Sequence, residues 1–133
     1  MLPREQAKRR ILDKWISRAE SDLDLAAHLV DEGAIFPGAV AFHCQQAAEK
    51  FIKGFLIWNG IDFPKTHDLK ELLDLAAEAN SHLATELKES ITLTPYGVEL
   101  RYPGDRAEAS PDEARSALVL ARKVKNAILP LLR

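Results

Sequence analysis

At 133 residues and a formal net charge of −2, the chain has the size of one domain able to bury a core without disulfides, and its near balance of acids and bases argues against a protein that grips nucleic acid mainly by neutralising phosphates. A single cysteine, Cys44, excludes an internal disulfide and fits a packing role in a reducing compartment. The charged amino end lacks an apolar stretch with a small-residue cleavage site, and nowhere do about 18 apolar residues run without charge, so the sequence predicts a soluble, cytoplasmic protein without membrane contact.

Between glycine and proline punctuation, apolar residues recur at three and four with no period-two alternation, which predicts an all-α chain. The first helix runs from about Arg4 to Asp31, with Gly33 just past its end as a left-handed terminator. Arg4, Lys8, Arg9, Arg10 and Lys14 read as its solvated basic face. Asp22 shares a face with Ile11, Trp15, Ala19, Ala26 and Leu29, where an unpaired carboxylate is costly. Its expected partners are Lys50 or Lys53 across the bundle, or Arg101.

The second helix starts near Pro37, where proline is tolerated in the first turn, and ends before Gly60. At about 100° per residue, Cys44, Ala47, Ala48, Phe51, Phe55 and Trp58 fall on one face, and Phe42, Ile52 and Leu56 form another apolar stripe. This helix is expected to be wrapped on more than one side. Between the stripes His43, Gln46, Lys50 and Lys53 follow at i, i+3, i+7 and i+10, with Gln45 and Glu49 beside them. Polar groups on a buried helix require partners, so they either satisfy one another or bind something.

Thr66 is the expected cap of a third, amphipathic helix with Leu69, Leu72, Leu73, Ala76 and Ala77 as its apolar stripe. That cap puts His67 at a helix start, where the dipole disfavours the protonated ring. A fourth helix spans roughly Ser81 to Leu93, after which Thr94-Pro95 kinks it or starts a new short helix, helical from Tyr96 to Tyr102. Pro103-Gly104-Asp105 breaks the helix, and Ser110-Pro111-Asp112-Glu113 restarts it with a capping box. The last helix turns Ala114, Ala117, Leu118, Ala121, Val124 and Ile128 inward.

These elements predict one domain over residues 1–133, an antiparallel up-and-down bundle of four to five helices. Either the same chain or a second copy covers the spare apolar stripe of the second helix, and a homodimer is expected. His28, His43, His67 and His82 lack zinc-site spacing, and the six glycines read as helix ends and turns rather than a phosphate loop. Neither a metal nor a cofactor is expected. Arg101 beside Tyr102 presents a guanidinium fork and a ring, a pair that suits phosphate and base recognition or, equally, a helix C-terminal cap.

Four blocks carry a family resemblance: Ala19-x-x-Asp22 on the first helix, Phe42-His43-x-Gln45-Gln46-Ala47-Ala48-Glu49-Lys50-x-x-Lys53 on the second, Thr66-His67-Asp68-Leu69 opening the third, and Arg101-Tyr102-Pro103 before the last. Over roughly Trp15 to Ile128 the chain resembles the HEPN domain, the "higher eukaryotes and prokaryotes nucleotide-binding" family. The resemblance implies a four- or five-helix bundle, usually dimeric, often encoded beside a small nucleotidyltransferase as its partner subunit, with a purine nucleotide as ligand. Many members of that family are metal-independent ribonucleases, several of them toxins in toxin–antitoxin pairs, in which an Arg is followed after four to six residues by a His. Here Arg101 is followed by Tyr102, Pro103, Gly104, Asp105, Arg106 and Ala107, and no other arginine has a histidine at that interval. No histidine of that motif is present to activate a 2′-hydroxyl or protonate a leaving oxygen.

The resulting expectation is a nucleotide-binding module without turnover. Asp22, His43, Gln46, Glu49, Lys50, Lys53, His67 and Arg101 would line its cleft, with the cations near phosphates and Tyr102 available for stacking. One rival is RNA cleavage in which His43 or His67 replaces the missing histidine and Arg101 stabilises the phosphorane. The other is a structural adaptor whose polar cluster only fixes the bundle.

Overall fold

The computed structural model describes residues 2–97 and 109–132. Helix α1 spans Pro3–Asp31 and α2 spans Pro37–Trp58, each with proline in its first turn. Gly33, at φ 98°, ends α1 in the left-handed region as expected. The two helices pack antiparallel: Asp22 near the end of α1 meets His43 and Lys50 of α2, while Leu12 and Ile16 near its start meet Gly54 further along. Gly54 lies inside α2 rather than at a helix end. A Cβ there would stand 3.0 Å from Ile16 Cδ1 and 3.3 Å from Leu12 Cδ1, so the missing side chain permits the close approach of α1.

Helix α2 is wrapped on several sides, and every residue from Ala47 to Leu56 except Lys50 is buried. Its main neighbours are α1 and α5 (Pro111–Ile128), with α3 (Leu69–Ala76) and a 3₁₀ segment (Lys88–Gly97) on the remaining side. On α1 the buried stripe is Leu12, Ala19, Leu23 and Ala26. The expected inner face of α1 is corrected accordingly: Ile11 is exposed and Trp15 and Leu29 are half-buried, because the stripe is centred about one residue further round the helix.

The cap of α3 is Asp68 rather than Thr66. Thr66 Oγ1 accepts the Asp68 amide at 3.1 Å and closes a turn, and Asp68 Oδ1 then accepts the Lys70 amide at 3.0 Å. His67 therefore precedes the helix and lies outside its first turn. The expected stripe of α3 is buried at Leu69, Leu72, Leu73 and Ala76.

The expected fourth helix divides into α4 (Ser81–Glu86) and the 3₁₀ segment that follows it. Ser90 Oγ donates to the Leu87 carbonyl at 2.6 Å and Thr92 Oγ1 to the Glu89 carbonyl at 2.8 Å, three residues back in each case. Such bonds compete with the α-helical ladder, and Pro95 removes a donor from it. Among the described residues there are thus five α-helices and a ten-residue 3₁₀ segment, six elements instead of four or five, before a short terminal turn at Leu129–Leu131. None is a strand, and no helix among them is long and apolar enough to cross a membrane.

Helix α5 matches expectation closely. Ser110 and Glu113 form the capping box, and Ala114, Ala117, Leu118, Ala121, Val124 and Ile128 are buried. Arg9 Nη1 donates to the Leu132 carbonyl at 2.7 Å, tying the end of the chain to the start of α1.

Candidate functional site

Within the i, i+3, i+7, i+10 row of α2, His43 and Lys50 lie about 20° apart around the helix and Gln46 and Lys53 likewise, so its members fall into two layers. In the outer layer Asp22 Oδ1 lies 2.9 Å from His43 Nδ1, and Asp22 Oδ2 accepts from Lys50 Nζ at 2.6 Å. The Lys50 side chain keeps 22% exposure, and His43 is half-buried with its ring edge-on to Phe42. A carboxylate only accepts, so the His43 hydrogen is assigned to Nδ1, which leaves Nε2 as the second ring position available to an incoming group.

In the inner layer the Glu49 side chain, 5% exposed, accepts from three directions. Lys53 Nζ donates to Oε2 at 3.1 Å, while Gln45 Nε2 donates to Oε1 at 3.0 Å and His67 Nδ1 meets the same oxygen at 2.8 Å. The Lys53 side chain is 8% exposed, its ammonium 5.8 Å from the Trp15 ring centre and 5.6 Å from that of Phe63. The carboxylate and the two electron-rich ring faces together compensate the ammonium's lost hydration. Asp22 thus meets Lys50, whereas Lys53, its other expected lysine partner, is committed to Glu49.

Gln45 extends the inner layer. Its Nε2 also reaches the His67 carbonyl at 3.3 Å, and its Oε1 accepts from Gln46 Nε2 at 2.7 Å. Although fully buried, Gln45 was not among the expected cleft residues. Its spacing of four from Glu49 on one helix face was the available signal. Trp15 and Phe63, which lie against the Lys53 ammonium, are set there by chain crossings that no local pattern encodes.

The two lysines consequently do not line one wall: Lys50 is half-buried at the surface and Lys53 is buried beneath it. No buried side-chain nitrogen or oxygen among the described residues lacks a hydrogen-bond partner. Among the described residues, concavities elsewhere include one of about 250 Å³ between the 3₁₀ segment and α5, lined by Thr92, Tyr96, Glu113 and Ser116 among others, and one of about 410 Å³ along α1 at Asp13, Ser17, Glu20 and Asp24. Arg101 and Tyr102, together with all of the expected Tyr96–Tyr102 helix beyond Gly97 and the break at Pro103-Gly104-Asp105, lie outside the described residues.

Cys44 is fully buried, and burial pushes its thiol up from 9.0 to about 12, with Arg122 acting weakly in the opposite sense. It is a packing residue. Among the described residues no group of three or more His, Cys, Asp and Glu side chains is arranged to hold a metal ion.

The sequence profile of the HEPN domain matches residues 12–131 of the chain. The crystal structure of an archaeal HEPN homologue superimposes with a TM-score of 0.72 at 23% identity, covering 92% of this chain and 98% of the homologue. No curated protein sequence matched the chain.

Proposed function

The chain belongs to the HEPN domain family, and on that premise we propose that it is a nucleotide-binding helical module that holds its ligand without turnover, acts as a homodimer and serves as the partner subunit of a small nucleotidyltransferase. The observation that carries the ligand reading is the outer layer: Asp22 holds both His43 and Lys50 in fixed positions while leaving them partly open to solvent. A pre-positioned ammonium and imidazole suit phosphate oxygens, because little side-chain freedom is lost when the anion arrives. Gln46 and His67 extend the same polar band toward base or ribose, and Glu49 and Lys53 act beneath it as supports. The absence of the Arg-x4–6-His pattern among the chain's arginines supports binding rather than RNA cleavage. Dimerisation and the nucleotidyltransferase partner follow from the family resemblance.

Calorimetric titration with ATP, ADP and GTP tests the ligand reading. Measurable heat of binding, with an affinity that Lys50→Ala weakens roughly tenfold, equivalent to about 1.4 kcal/mol, is the expected result. No heat and no rise in melting temperature at millimolar nucleotide would favour the structural adaptor instead. RNA cut by the purified protein, and left intact by the His43→Ala variant, would replace the non-catalytic reading with the ribonuclease one.

A further inference from the structure

His67 combines strong exposure with support from behind. Its side chain is 70% exposed, whereas the Glu49 carboxylate that faces its Nδ1 at 2.8 Å is 5% exposed. Lys53 and Gln45 hold Glu49 in place, and Gln45 also holds the His67 carbonyl. Ring and backbone are therefore both fixed. Since the carboxylate can only accept, the ring hydrogen is assigned to Nδ1 and the lone pair to Nε2, which has no hydrogen-bond partner among the described residues. The other three histidines lack this combination. His43 is carboxylate-backed but half-buried, and His28 and His82 are exposed with no carboxylate at either ring nitrogen among the described residues.

We propose that His67 Nε2 is a phosphoryl-accepting site, served by a small activated phosphoryl donor of the phosphoramidate class. The Nε2 lone pair attacks phosphorus of the donor in its N-protonated form, the new N–P bond forms, and the P–N bond of the donor breaks with its electron pair leaving on neutral ammonia. The imidazole becomes cationic in that step. Its Nδ1–H stays on Glu49, whose negative charge is already placed where the positive charge develops. The site does not depend on nucleotide binding, and the donor is small enough to reach a ring that stands in solvent.

The test is a time course with potassium phosphoramidate, read by peptide mass spectrometry at alkaline pH, with His28 and His82 as internal controls. His67 is expected to label roughly tenfold faster than either control, the rate difference that about 1.4 kcal/mol of charge-assisted hydrogen bonding supplies. Glu49→Gln keeps an acceptor at the ring but removes its charge, and it should bring His67 down to the rate of the controls while leaving theirs unchanged. Equal labelling of the three exposed histidines in the unmodified protein would overturn the proposal, as would a preference for His67 that survives Glu49→Gln. The comparison within the unmodified protein decides the matter even where the variant does not fold.

Discussion

Gly97 lies directly on the carboxamide of Gln45: a Cβ on the glycine would stand 2.6 Å from Gln45 Cδ and 2.8 Å from its Oε1. The end of a long side chain ordinarily yields to such an intrusion, but this one is fully buried and bonded to Glu49, Gln46 and the His67 carbonyl. Gly97→Ala is therefore expected to cost about 1–3 kcal/mol, the usual range for overpacking. Urea denaturation gives the value. Adding Gln45→Ala should cost less in the Gly97→Ala background than alone, because the truncated side chain leaves room for the new methyl; strict additivity would mean the two residues do not press on each other.

The two ion pairs of α2 should differ sharply in weight. Glu49→Ala leaves the Lys53 ammonium buried and without its carboxylate, at an expected loss of about 3–5 kcal/mol. Lys50→Ala removes a half-exposed partner from an Asp22 that still has His43, at an expected loss of no more than about 1 kcal/mol. Equal losses in chemical denaturation would contradict the division into layers.

At Gly54 two effects oppose one another. Alanine gains about 1 kcal/mol of helix propensity, while its Cβ must displace Ile16 Cδ1 by a few tenths of an ångström from a 3.0 Å contact. The net change in melting temperature should be small. Gly54→Leu places a whole side chain between α1 and α2 and should prevent native packing, which loss of near-ultraviolet dichroism would report.

Cys44 makes stability pH-dependent at the alkaline end. Above about 9, its ordinary value, the thiol ionises in the unfolded chain while the folded protein keeps it neutral. The unfolded state then binds fewer protons, so the stabilising contribution is complete below pH 9 and is lost progressively as pH rises toward about 12. Comparing Cys44→Ala with the unmodified protein across that window isolates the effect. A slope unchanged by the substitution would mean that the thiol does not titrate differently on folding.

Ser110→Ala removes the acceptor of the Glu113 amide at 3.1 Å and opens the capping box of α5. A loss of about 1 kcal/mol is expected, with α5 fraying first in hydrogen exchange. Ser110→Asp, which keeps an acceptor and adds favourable charge at a helix start, should retain most of the stability.

Capping and periodicity are local, and what rests on them was legible along the chain: the extent of α1 and its stop at Gly33, the capping box and buried stripe of α5, and the many-sided burial of α2. Where two local choices were nearly equivalent, reading along the chain failed. Thr66 and Asp68 are both competent caps two residues apart, and the turn that Thr66 makes with the Asp68 amide leaves Asp68 to start the helix. Lys50 and Lys53 occupy the same row one turn apart and were equal candidates for Asp22. Packing separates them, because α1 brings Asp22 to Lys50, while Trp15 from α1 and Phe63 from the 59–68 connection come to lie against Lys53, which pairs with Glu49. A charge's partner depends on which chain segments cross above it, and no spacing within one helix contains that information.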